Sequence, residues 1–180
     1  MRIIGGEFGG RRISPPAKMP YTRPTTDIAK EGLFNIIHNN LAIENLKTLD
    51  LFGGTGCITY ELASRGAAEM TIVEKDPAMY EFIRKTLINL AIQKCTVVKM
   101  DVFKYIDQCT NQFNFIFAGP PYALTTIDEI PEKIFSRQLL EPGGWFVLEH
   151  TPRNNYTRHP NFANSRNYGT TVFSIFVNRK

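Results

Sequence analysis

Between residues 46 and 149 the chain alternates short β-rich runs with segments of helical period, and this alternation constrains the fold more than any other feature. Lys47-Thr48-Leu49-Asp50-Leu51-Phe52 reads as a strand, followed by glycines and a helix over 57–65 that Gly66 stops. Met70-Thr71-Ile72-Val73-Glu74 reads as a second strand. Pro77 then opens a helix in which Tyr80, Ile83, Leu87 and Leu90 keep the helical period. A third strand over 95–100 precedes a short helix over 102–109, and a fourth over 113–118 runs into Pro120-Pro121. A helix over 130–140, a Glu141-Pro142-Gly143-Gly144 turn and a fifth strand over 145–149 complete the series. Strands alternating with helices predict an α/β fold with a mostly parallel sheet and right-handed crossovers. In such sheets ligands sit beyond the carboxyl ends of the strands, where the strand order reverses.

The flanks differ from this body. Residues 3–14 carry glycine pairs between two β-like segments and read as a hairpin. A proline-rich link leads to a helix over 27–38 with Ala29, Leu33, Phe34, Ile36 and Ile37 on its apolar side. After the body, 151–166 reads as a polar loop and 168–177 as an antiparallel edge pair. The expected organisation is a basic extension, 1–40, packed on a domain, 41–180, as one structural unit. The 180 residues suit one domain of roughly 150. A hydrophobic content of 43% excludes a disordered chain. No run approaches the ~18 apolar residues of a membrane helix. The first residues have no apolar signal core, and Cys57, Cys95 and Cys109 form no CxxC pair, so a cytoplasmic protein with reduced thiols is expected. The three histidines are scattered, so no metal site is expected, and a monomer is the default.

The net charge of +4 conceals a segregation: residues 1–26 carry +4, 151–180 carry +5 with no acid, and the middle carries −5. Basic ends around an acidic body suit a polyanionic partner, or simply solvated termini.

The acidic body holds the strongest local signal, Leu49-Asp50-Leu51-Phe52-Gly53-Gly54-Thr55-Gly56. A glycine-rich turn after a first strand lets a ligand approach the backbone. A diphosphate fingerprint would need a third glycine, but from Gly54 the chain reads Gly-Thr-Gly-Cys-Ile-Thr, and Asp50 would repel phosphates. S-adenosylmethionine, with a sulfonium, an ammonium and no phosphate, suits that acid better than NAD. Glu74 closes the second strand, where an acid can accept from both ribose hydroxyls, and Asp101 closes the third, within reach of an adenine amino group. Any one of them alone would equally suit a helix cap.

The fourth strand ends Phe117-Ala118-Gly119-Pro120-Pro121-Tyr122, which resembles amino-methyltransferases bearing Asp/Asn-Pro-Pro-Tyr. The whole chain resembles the RsmD-type ribosomal RNA methyltransferases more closely. The shared runs begin with Met1-Arg2-Ile3-Ile4-Gly5-Gly6 and Thr22-Arg23-Pro24-Thr25. The glycine loop, Glu61, Ser64-Arg65-Gly66-Ala67, Val73-Glu74-Lys75-Asp76 and Tyr168-Gly169 follow. The resemblance implies a Rossmann-like class I methyltransferase of seven strands with helices on both faces. It implies S-adenosylmethionine as cofactor, with S-adenosylhomocysteine as product, and methylation of a guanine N2 in small-subunit ribosomal RNA, free or in an assembling subunit. The candidate cofactor set is then Asp50, Phe52, Gly53, Gly54, Thr55, Gly56, Glu74, Lys75, Asp101 and Val102. Gly119, Pro120, Pro121 and Tyr122 are the candidate catalytic turn, with a proline carbonyl accepting from the amine and the tyrosine stacking on an extruded base. Arg11, Arg12, Arg23, Thr25, Arg153, Arg158 and Arg166 are the candidate RNA contacts, and both basic ends are expected on one side of the pocket. Tyr168 reads either as a core aromatic or as a stacking residue.

Gly119 departs from the motif, whose first residue offers a side-chain acceptor to the amine. Losing one such group commonly costs ~10²–10³ in rate. Three readings stay open: an enzyme that is slow or uses another acceptor such as Glu149, a protein that binds RNA and cofactor without turnover, or a change introduced into the sequence. An adenine-N6 methyltransferase and an NAD oxidoreductase are the remaining alternatives.

Overall fold

Apolar side chains on alternate positions send the strands' two faces into separate cores, and helices cover both. A computed structural model describes residues 1–19 and 24–180. Its seven-stranded sheet has the order β3-β2-β1-β4-β5-β7-β6, where β1 is Lys47–Leu51, β2 Glu69–Val73, β3 Cys95–Val98, β4 Phe113–Ala118, β5 Leu140–His150, β6 Phe162–Tyr168 and β7 Thr171–Val177. The first five strands are parallel, while β7 runs antiparallel to β5 and β6 antiparallel to β7. The helices are α1 (Asp27–Asn40), α2 (Cys57–Ser64), α3 (Pro77–Asn89), α4 (Val102–Gln108) and α5 (Glu129–Ser136). Among the described residues no helix is long and apolar enough to cross a membrane.

Leu49 and Leu51 of β1 pack with Val102 and Ile106 of α4 and with Ile130 and Ile134 of α5. Phe115 and Phe117 of β4 and Val147 of β5 face the other way, toward Leu33, Phe34 and Ile37 of α1 and Ile58 and Leu62 of α2. Thr26 caps α1 by accepting from the Ala29 amide, and Asp76 caps α3 by accepting from Met79. Gly32 lets α1 reach the far edge of the sheet, because a Cβ there would lie 2.2 Å from the Tyr168 ring of β6. Tyr168 thus packs on α1 and lies 6.0 Å from the Phe173 ring, as a core aromatic does.

The N-terminal hairpin is a short one, an antiparallel bridge between Arg2 and Arg12. Glu61 of α2, fully buried, fastens it: its carboxylate accepts from the Ile4 and Gly5 amides at 2.9 Å each and from Arg65, and Lys30 of α1 lies 3.7 Å away. Lys30 is itself buried and donates to the Arg2 carbonyl.

Two segments differ from expectation. Glu141-Pro142-Gly143-Gly144 is an irregular part of β5 rather than a turn before it, since Asn178 donates its side-chain amide to the Leu140 and Glu141 carbonyls and accepts from the Gly143 amide. Residues 162–166 lie in β6 rather than in a loop. That strand is exposed over most of its length and held by main-chain pairing with β7, so it lacks the alternation that marks a half-buried strand.

Removing the Glu61 carboxylate would leave Lys30 buried without its counter-charge. Glu61→Ala should lower the unfolding free energy by about 3 kcal/mol, read as a shift in the urea midpoint. A loss under about 1 kcal/mol would mean that the hairpin is held by apolar contacts alone.

Candidate active site

The strand order turns between β1 and β4, and the loops leaving these two strands diverge there to open a cleft. Phe52, just after β1, adopts a left-handed backbone with φ of 62°, uncommon for a bulky residue. Gly54 and Gly56 are also left-handed, and a Cβ on Gly56 would meet the Tyr60 ring at 2.4 Å. The loop stays on the sheet because the Gly53 amide donates to the Val73 carbonyl at 2.9 Å.

Glu74 joins this loop to the next. One carboxylate oxygen accepts from the Gly54 amide at 2.7 Å and the other from the Asp76 amide at 2.8 Å. Each oxygen keeps a second acceptor position. Asp101 caps α4 with a single oxygen, which accepts from the Phe103 and Lys104 amides. The capping role and a place in the cleft wall therefore coexist in this residue. Asp50 is 2% exposed and accepts from the Thr59 hydroxyl at 2.8 Å. Burial pushes its carboxyl up to about 7, the Thr59 hydrogen bond opposes the shift, and the charges of Glu74 and Glu149 add to it.

Gly119 follows β4, and its amide donates to the Leu51 carbonyl at 3.3 Å, so the Pro120-Pro121-Tyr122 turn starts beside the end of β1. The Tyr122 hydroxyl donates to one oxygen of Glu149 at 3.3 Å, and the Thr25 hydroxyl donates to the other at 2.8 Å.

The cleft has a volume of about 660 Å³, within the range usual for small-molecule sites. Asp50, Phe52, Gly53, Gly54, Thr55, Glu74, Lys75, Asp101 and Val102 line it together with Gly119, Pro120, Pro121, Tyr122 and Thr25. Gly56 does not line it; its role is to turn the chain into α2. Pro24, Cys57, Ile58, Val73, Asp76, Pro77, Phe117, Ala123 and Glu149 complete the wall. Of these Glu149 bears chemistry, and its signal in the sequence is the same as for Glu74, an acid at a strand end. Among the described residues no group of His, Cys, Asp and Glu side chains could hold a metal ion.

The basic residues do not gather as expected. Arg11 lies 5.1 Å over the Phe8 ring, and the Phe8 amide is bound to Ser64 at the end of α2 remote from the cleft. Arg12 lies beside Arg2 in the same hairpin, on the sheet face that α1 and α2 cover. Arg153 and Arg158 line a polar hollow with Asp128 and Glu132 on the opposite face, beside α5. Arg166 projects from the edge strand β6, bonded to Asn164 and Ser165. Arg23 lies outside the described residues. The basic ends thus sit on different faces, because β6 and β7 continue the sheet away from the hairpin.

Comparison with known proteins adds to this geometry. The family model described as Conserved hypothetical protein 95 matches residues 1–177. Ribosomal RNA small subunit methyltransferase D of Escherichia coli is 34% identical over 149 residues, 83% of this chain and 71% of that protein. The putative rRNA methyltransferase YlbH of Bacillus subtilis is 32% identical over 154 residues, 83% of this chain and 82% of that one. Among solved structures, the putative methyltransferase yhhF from Escherichia coli aligns with a TM-score of 0.87 at 26% identity, covering 99% of this chain and 97% of that one.

The raised Asp50 value has a consequence for stability. Its carboxyl ionises at about 7 in the fold against an ordinary 3.8, so between these values the folded state holds a proton that the unfolded state has lost. That contribution is full below the lower value and is lost as the pH rises through the upper one. Urea unfolding from about pH 4 to about pH 8 should show stability falling relative to Asp50→Asn. Parallel curves for the two proteins would contradict the assignment.

Proposed function

The chain belongs to the ribosomal RNA small subunit methyltransferase D family, and from that premise we propose that it methylates the exocyclic N2 amine of a guanine in small-subunit ribosomal RNA. Its fold is that of the Rossmann-like class I methyltransferases. The methyl donor is S-adenosylmethionine, which when bound supplies an electrophilic methyl group on a sulfonium. The observation that carries this reading is the sharing of one cleft by a glycine loop, three strand-end carboxylates and the Pro-Pro-Tyr turn.

The cleft's chemistry fits that donor. Asp50, Glu74 and Asp101 offer acceptors and negative charge to a cation that bears ribose hydroxyls and amino groups, and the same charges would repel a diphosphate. Glu74, held by two backbone amides, accepts from the ribose hydroxyls. Asp101 accepts from the adenine amino group with the oxygen that does not cap α4. Asp50 faces the positive end of the donor, whose charge favours its ionised form.

The target base leaves its stack and enters beside Tyr122, whose ring supports it face to face. The Pro120 carbonyl accepts one hydrogen of the amine. An aromatic amine is a weak nucleophile because its lone pair is delocalised into the ring, so fixing it in line with the methyl group supplies much of the catalysis. Arg12, Arg153, Arg158 and Arg166, all exposed, offer phosphate contacts on more than one face, which suits a folded RNA or an assembling subunit better than a single short strand.

Incubation with labelled S-adenosylmethionine and unmethylated small ribosomal subunits tests this. Label should appear in N2-methylguanine. Label confined to N6-methyladenine would overturn the substrate, and the absence of label from any RNA would leave a binding protein without turnover.

A further inference from the structure

Gly119 has no side chain to offer the amine, but a carboxylate stands close to the space beside it. In the parallel pairing of β4 with β5, Phe117 stands opposite Val147 and Ala118 opposite Leu148, so the next pair is Gly119 and Glu149. Side chains alternate along a strand. Position 119 therefore shares a face with Phe117, and Glu149 shares the same face with Val147. A Cβ built on Gly119 would lie 3.1 Å from the Phe117 ring and 3.5 Å from a carboxylate oxygen of Glu149. A carboxylate borne by the neighbouring strand, together with the Phe117 ring, thus borders the space that a side chain at 119 would enter.

Glu149 is also prepared for such a role. It is 6% exposed, lines the cleft with Asp50, Pro120 and Tyr122, and has each oxygen fixed by a hydroxyl donor, Thr25 on one and Tyr122 on the other. Each carboxylate oxygen can accept from more than one donor, and these two bonds orient the group.

We infer that Glu149 is a catalytic residue that accepts a hydrogen bond from the target amine in place of the missing side chain at position 119. The inference rests on the methyltransferase reading above. Guanine presents two parallel donors on its Watson–Crick edge, N1–H and an N2–H, which a carboxylate accepts together. Adenine presents a lone pair at N1, which a carboxylate repels, so the same residue favours guanine. With the in-plane hydrogens held by Glu149 and the Pro120 carbonyl, the amine lone pair points out of the base plane toward the donor. The nitrogen lone pair forms the bond to the methyl carbon as the carbon–sulfur bond breaks, its electron pair staying on sulfur. The proton shed by the methylated nitrogen passes to the Glu149 carboxylate and from there to solvent.

The test measures single-turnover methylation of unmethylated small subunits and, separately, binding of S-adenosylhomocysteine by calorimetry. Glu149→Gln should slow methyl transfer by ~10²–10³ while binding the nucleoside within about 3-fold of the unsubstituted protein, which also reports an intact fold. Adding Gly119→Asp to Glu149→Gln should recover at least about 10-fold, because the new carboxylate enters the same space. The inference is overturned if Glu149→Gln keeps the full rate, if the double substitution recovers nothing, or if Gly119→Asp alone accelerates transfer ~10²-fold. Each of these outcomes presupposes label in guanine with the unsubstituted protein. Absence of that label sinks the underlying reading instead, so the two failures are distinguishable.

Discussion

The parallel pairing of β1 with β4, which sets Asp50 opposite Phe117 and Leu51 opposite Ala118, is the contact on which the site depends. Strands on one side of this pair, β2 and β3, and on the other side, β5, were added in opposite directions across the sheet. The loops after β1 and β4 must therefore part, and the cleft is the space left between them. One wall inherits the glycine loop and the carboxylates near the carboxyl ends of β1, β2 and β3. The other inherits the Pro-Pro-Tyr turn and, from β5, Glu149. No single loop could place a donor and an acceptor on opposite walls.

Electrostatics gives the cleft its character. Asp50, Glu74, Asp101 and Glu149 all line it, and their described hydrogen-bond partners are backbone amides and hydroxyls. Burial is the main cause of the rise of the Asp50 carboxyl to about 7, and the neighbouring charges of Glu74 and Glu149 add to it. A cationic ligand opposes that rise on binding. The buried Lys30–Glu61 pair does something different: with partners on α1, α2 and the hairpin, it anchors the amino-terminal segment whose Pro24 and Thr25 reach the cleft.

Much of this was legible in the sequence, for local reasons. The strands of the parallel core announce themselves by burial on both faces, and the glycine loop and Pro-Pro-Tyr by turn chemistry. What escaped depends on distant partners. β6 is held by β7 and exposed, so Phe162-Ala163-Asn164-Ser165-Arg166 carries no periodic signal. The irregular start of β5 follows from Asn178, some forty residues on. Charge counted along the chain says nothing about which face of the sheet receives it, so the two basic ends separate onto different faces. Glu149 was legible as an acid at the end of the strand beside Gly119, but the register that sets the two opposite each other is not encoded by any local pattern.

A crystal structure of the chain with S-adenosylhomocysteine bound tests the central claim most directly, that donor and target meet across the β1–β4 junction. The ribose hydroxyls should lie about 3 Å from the Glu74 carboxylate, with the sulfur facing the turn of Gly119, Pro120 and Tyr122. An adenosyl group bound away from Glu74, or a sulfur turned from that motif, would contradict it.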